Sequence, residues 1–324
     1  MIEESAKLEN EDSLFQFVSD NDARTSEKII APRYSYWKSV FRVFFKKKTN
    51  IFMIAVLAFI VIAAFIMPIF WPYDMLENVT NSSTYNLAPK AAMKAFGGFS
   101  FKYVLGTGPM GNSIMYGIIS SAKTSLMLAV ICAAINMTVG ILAGAVWGYS
   151  KKVDAVMLVI YNIIANVPYI LLISVLVYIV GSGFWPFVFA LTITGWLSIA
   201  YFFRTQVMII RDREYSLASR CLGTPVPRII TKNILPFLTS VIVTVLATEL
   251  PSYISMEVFL SYIGIGLSAS VPSLGRMIQQ AQTGFLTYPW EFWPPVAIAS
   301  IITIILYVLG QNLADASDPR THMM

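Results

Sequence analysis

One histidine, His322, and two cysteines, Cys132 and Cys221, are all that 324 residues offer of the softer metal ligands. A tetrahedral site draws on several such groups brought together, so no metal cluster is expected. A disulfide is not expected either, because Cys132 lies in an apolar run and Cys221 in a charged segment; both read as packing residues. Charge is scarce too: 13% of residues are charged against 56% hydrophobic, with a mean hydropathy of +0.66. That balance excludes an ordinary water-soluble domain and places the chain among polytopic membrane proteins. No Gly-x-x-x-x-Gly-Lys-Ser/Thr string is present, so the usual phosphate-cradling loop is missing and the energy for any active process comes from elsewhere. The run Gly106 to Gly111 has Gly-x-Gly-x-x-Gly spacing, but no buried strand precedes it and no acid follows about 20 residues on. It reads as a turn-rich loop.

The charge that remains is unevenly placed. Residues 1–32 hold eight acidic and three basic side chains, a balance of −5, so the remainder carries +10 within a chain of net +5. This acidic tail has no apolar run of the signal-peptide kind and reads as disordered and uncleaved. A membrane helix takes about 20 apolar residues, and six spans are predicted near 51–71, 124–149, 155–180, 184–203, 237–262 and 294–311. The fold class expected is therefore all-α. Arg42 and Lys46 to Lys48 precede the first span, Lys151 and Lys152 separate the second from the third, and six basic residues occupy 204–236. By the positive-inside rule these segments are cytoplasmic, as are both termini, residues 1–50 and 312–324. The basic excess orients the chain in the bilayer and does not indicate nucleic acid. Outside lie 72–123 and about 263–293, rich in Gly, Pro and interfacial aromatics such as Trp71, Tyr288 and Trp293.

Three features within 124–311 stand out. Gly140, Gly144 and Gly148 recur every fourth residue behind Asn136, a pattern that lines one helix face and lets a second backbone come close. Glu249 and Glu257 interrupt the fifth span, eight positions and about 80° apart on an ideal helix, with Pro251 between them. An ionisable group at membrane depth faces a cavity or a partner. They form either a proton or cation relay or a pair of structural anchors. Third, the segment 204–236 is a polar loop between apolar spans. Glu214 to Leu222 predicts a short helix that Gly223 ends, and Pro225 and Pro227 suit the first turn of another. Ile229 and Ile230 are expected to lie exposed beside Arg228 and Lys232, making a docking surface.

The segment Arg213 to Gly223, followed by Ile234-Leu235-Pro236, resembles the Glu-Ala-Ala loop of ABC importer permeases. Leu105-Gly106-Thr107, Gly111, Tyr116-Gly117 and Ser125-Leu126 are similar to the stretch before the second span in the C-type subunit of oligopeptide and dipeptide permeases. Glu257 to Gly266, Pro272 to Gly275 and the ending Asn312 to Arg320 resemble further blocks of that subunit. The likeness covers about residues 38 to 320. There are departures. The name-giving Glu-Ala-Ala is Leu217-Ala218-Ser219 here, with Glu214 one turn earlier. Gly108, Asn112-Ser113 and Lys123 replace an acid, an Arg-Asp pair and an arginine, removing charges expected to anchor the outer segment. Leu274 stands where tryptophan is usual, and Glu249 where a small uncharged residue is.

The resemblance implies a non-enzymatic subunit in a bacterial plasma membrane with the type I importer fold. It would enclose a path with a second permease, receive peptide from an extracytoplasmic lipoprotein, and follow two cytosolic ATPases that hold the ATP and Mg. Glu214, Ala218, Gly223, Arg228 and Ile229 would form the joint to those ATPases. A dipeptide or nickel permease shares these blocks. A proton-driven secondary transporter using Glu249 and Glu257 is the reading from another class.

Overall fold

The computed structural model describes residues 35–318, so the acidic tail 1–32 and His322 lie outside the described residues. The chain divides after Ser39, and the unit from Val40 onward carries the helices that matter here. Part of the segment read as a tail is helical: α1 spans Tyr36–Lys46, with Val40 and Phe44 buried and Phe41 and Phe45 exposed. The first span, α2, is Lys48–Phe70. Its Asn50 is fully buried, donating from Nδ2 to the Phe44 carbonyl at 2.8 Å and accepting from Asn312 Nδ2 at 2.8 Å. These bonds tie the start of the first span to the end of the last.

The outer segment is folded rather than merely turn-rich. It contains α3, Pro89–Ala95, and a web of hydrogen bonds in which Thr107 Oγ1 donates to the Thr84 carbonyl at 2.6 Å and accepts from Leu87 N–H at 2.9 Å. The expected loss of anchoring at 112–113 does not occur. Asn112 Nδ2 donates to the Tyr73 hydroxyl at 2.9 Å, and Ser113 Oγ both donates to the Lys102 carbonyl and caps the next helix through Tyr116 N–H at 3.2 Å. Uncharged side chains do the work of the missing ion pair. With that cap in place, α4 begins at Ile114, ten residues before the predicted boundary, and runs without a break to Tyr149.

The third span differs most from expectation. Residues 155–180 are not one helix but α5, Lys151–Ala165, and α6, Tyr169–Val180, bent by 83° at Asn166-Val167-Pro168. Proline disfavours helical geometry in the residue before it, and Asn166 Nδ2 turns back to the Asn162 carbonyl at 2.5 Å. Next come α7, Phe184–Arg211; α8, Glu214–Cys221; and the one-turn α9, Val226–Arg228. A π turn over Ile229–Ile234 and a 3₁₀ turn over Leu235–Leu238 lead into α10, Thr239–Tyr262. The outer α11, Leu274–Ala281, and the last span, α12, Pro289–Ser317, complete the order. Among the described residues five helices are long and apolar enough to cross a membrane, or six if the bent pair is one span.

The glycine ladder decides how α4 and α7 pack. A methyl group at Gly140 would meet Ile199 Cγ2 at 2.6 Å, one at Gly144 the Ala200 carbonyl at 2.5 Å, and one at Gly148 the Arg204 carbonyl at 2.5 Å. One turn further out Asn136 sits against Gly195, reversing which helix supplies the glycine. Close backbone approach of this kind lets dispersion and weak hydrogen bonds replace the hydrophobic drive that a bilayer lacks. Gly310 of α12 is seated on Ala247 of α10 in the same way, its added carbon 2.7 Å from the Ala247 carbonyl.

Candidate functional site: the polar loop and a membrane cavity

The loop helix α8 forms where helix formers are bounded by definite stops. Glu214 occupies its first turn, favourable at the positive end of a helix dipole. Gly223 ends it at φ +74°, in the left-handed region open to glycine, and Thr224 N–H reaches back to the Ser219 carbonyl at 3.1 Å. Pro225 and Pro227 then open α9 as expected.

Specific contacts hold α8 against the spans. Tyr215 stacks on Phe237 with ring centroids 5.0 Å apart, and the Arg220 guanidinium lies 5.3 Å from the centre of the Tyr149 ring. Ser219 Oγ donates to the Tyr215 carbonyl at 2.9 Å and accepts from Asn233 Nδ2 at 2.6 Å. The serine that replaces the family's alanine thus links α8 to the π turn. Arg211, at the end of α7 and almost fully buried, donates to the Gly148 carbonyl at 2.9 Å and pairs with Asp212 at 3.1 Å. The Arg211 hydrogen bond holds the exposed Asp212 carboxyl below the usual carboxylate range. Sequence reasoning passed over Arg211 because one more basic residue in a basic loop carries no signal of where it points.

The loop corrects one expectation outright. Ile229 and Ile230 are not exposed; they are 1% and 7% accessible and join Ile234 and Leu238 in a core with Phe203 and Val207. The π turn is wider than an α turn and gathers 229, 230 and 234 on one side. Glu214, Ala218, Gly223 and Arg228 do lie on the outside. The apolar groups beside them are Leu217, Leu222 and Val226, with Leu222 85% exposed. Cys221 is exposed as well, and is no packing residue; Cys132 is buried.

The two intramembrane acids have different surroundings. Glu257 is wholly buried: Ser125 Oγ of α4 donates to Oε2 at 2.8 Å and Ser261 Oγ to Oε1 at 3.0 Å. Leu274 N–H caps the cluster on Ser125 Oγ at 3.2 Å, and Gly275 packs on Ser261 with no room for a side chain. Three of the blocks that carry the resemblance, around 125, 257 and 274, therefore meet at one point. Glu257 is a structural anchor there. Glu249 is half-buried on the wall of a cavity of about 420 Å³ opened by the break between α5 and α6 and bounded by α7 and α10. Glu257 does not line that cavity, so no continuous pair of acids exists. Among the described residues no group of three or more His, Cys, Asp or Glu could hold a metal ion.

A helical membrane chain whose longest spans are packed backbone to backbone, with a short helix set on one end of them, belongs to the class of transporter permeases. Residues 136–323 match the family of binding-protein-dependent transport system inner membrane components, and residues 35–89 match the N-terminal membrane domain of oligopeptide transport permease C. The chain is 44% identical, over 95% of its length and 97% of the relative's, to the oligopeptide transport system permease protein AmiD of Streptococcus pneumoniae. It is 30% identical to the oligopeptide permease OppC of Bacillus subtilis, over 92% of this chain and 94% of that one. The dipeptide permease DppC of Bacillus subtilis is 30% identical too, over 92% of this chain and 90% of the relative. This chain belongs to the family of binding-protein-dependent ABC transporter permeases, as a C-type subunit. It is a multi-pass membrane protein that transports and does not catalyse, and it works with a binding protein and ATPases.

Proposed function

We propose that the chain lines the membrane path of an oligopeptide importer together with a second, homologous permease. Two cytosolic ATPases, holding ATP and Mg, seat α8 from below, and a peptide-binding lipoprotein delivers cargo to the outer segment. Both termini face the cytoplasm. The observation that carries this reading is the seating of α8. The outer side of the loop leaves Leu217, Leu222 and Val226 uncovered beside Glu214, Ala218 and Arg228, while α8 is fixed on its other side to Tyr149 at the end of α4 and to the turns that hold Asn233 and Phe237. Apolar groups rimmed by charge suit a partner surface. Ile229 serves the joint from within, as a buried anchor rather than a contact. A rotation of the ATPases would then be carried into the spans as a rigid-body motion. The strong likeness to an oligopeptide permease favours oligopeptides over dipeptides or nickel as cargo.

The test is to purify the tagged chain with its natural partners and reconstitute it. Recovery of a second permease, two ATPases and a lipoprotein, with ATP-dependent peptide uptake, is the expected result. Activity of the chain alone under a proton gradient would overturn the reading in favour of a secondary transporter.

A further inference from the structure

The cavity at the broken span is not accounted for by packing. Its polar lining is Glu249 and Ser252 from α10, Thr194 and Ser198 from α7, and the phenol rings of Tyr161, Tyr169 and Tyr253. The Tyr253 hydroxyl is itself fixed, accepting from Asn136 Nδ2 at 2.6 Å. The remaining walls are apolar, from residues such as Leu172 and Met256. Among the described residues no lysine or arginine makes an ion pair with Glu249, and the guanidinium further along α7, Arg204, is taken up by Asp154. Glu249 is nonetheless only half-buried, and Ser198 and Ser252 beside it are exposed. A carboxylate at membrane depth is too costly to leave facing lipid. The open side of this cavity therefore faces the path or the second permease.

A carboxylate without a counter-ion, flanked by aromatic faces and hydroxyl groups, is the chemistry that holds an ammonium or guanidinium group. We propose that this cavity binds a lysine or arginine side chain of a peptide in transit, with Glu249 as its counter-ion. A volume of about 420 Å³ is ample for one charged side chain with its water. With a single carboxylate in its lining, the site reads one charge and leaves the rest of the cargo unread. The inference rests on the peptide-uptake reading above.

The test uses the reconstituted complex and two pentapeptides with free amino termini, identical except that one carries lysine and the other acetyl-lysine. The delivery protein is the same in every assay, so its own preference cancels when wild type is compared with Glu249→Gln. The substitution is expected to lower uptake of the lysine peptide relative to the acetyl-lysine peptide on the order of tenfold, the worth of one hydrogen bond to a charged group, and Glu249→Asp to restore it. An unchanged ratio overturns the inference and leaves the uptake reading intact. Equal loss of both peptides from an assembled complex overturns it too, since Glu249 would then be pairing with the second permease. Failure of the wild type to take up either peptide removes the uptake reading, and the inference falls with it. Should Glu249→Gln fail to assemble, a photoreactive residue beside the lysine in wild type decides. Lysine-dependent cross-links to Glu249, Ser252 or Ser198 support the site, and cross-links that ignore lysine overturn it.

Discussion

One added methyl separates two kinds of glycine in this chain. At Gly144 it would stand 2.5 Å from the Ala200 carbonyl and 2.8 Å from Phe203 Cβ, both held in a packed interface. Gly144→Ala is expected to cost about 1–3 kcal/mol, seen as a lower Tm of the purified complex. At Gly223 the same methyl meets nothing within 4 Å, so the difficulty is φ +74° and not space. Gly223→Ala is expected to strain the turn by about 1–2 kcal/mol and to reduce uptake while the Tm of the spans is unchanged. Glu257 gives a third outcome. Removing its carboxylate leaves Ser125 and Ser261 without their acceptor, so Glu257→Ala is expected to cost about 1–3 kcal/mol and to lower the yield of folded complex. Glu257→Gln keeps an acceptor oxygen and is expected to keep most of the uptake; a relay would lose activity in both. The glycine ladder was legible because a repeat of four is a geometric statement about one face. Gly310, equally tight, was not, since a single glycine has no period.

Between elements, the link from α8 to the π turn is the most exposed to test. Asn233→Ala and Ser219→Ala each remove the 2.6 Å bond between these residues, and each is expected to weaken peptide-stimulated ATP hydrolysis while the complex stays assembled. The double variant should be no worse than either single one if the bond is what both disturb. Additive losses would show that each residue acts through other contacts. The helix itself, its glycine stop and its two prolines were readable in advance, because caps and breakers act within a few residues. The two isoleucines were misread because a π turn leaves no local signature. The break at Pro168 was hidden for a different reason. Hydropathy summed across 155–180 is continuous, and only the angle between the halves reveals that one span has become two short helices.

The topology of the whole chain can be checked with the cysteines it already has. In membranes stripped of ATPases, a membrane-impermeant maleimide is expected to label the chain only after the cytoplasmic face is opened. Cys221→Ser should abolish that labelling, because Cys132 is buried. Labelling of sealed, right-side-out vesicles would invert the orientation. The expected orientation rests on the basic residues alone, whereas the hydrogen-bonded fold of residues 72–123 was not legible, since its anchors are ordinary Asn, Ser and Thr side chains. The unbroken length of α4 has one more consequence. Thirty-six residues make a rod of about 54 Å, well beyond a hydrocarbon core of about 30 Å. Its inner end is gripped by Arg211 through the Gly148 carbonyl, and its outer end is capped by Ser113 inside the outer segment. Such a rod has no joint along its length to absorb a push. A displacement delivered at the Gly148 end is carried along it to the segment that Ser113 anchors.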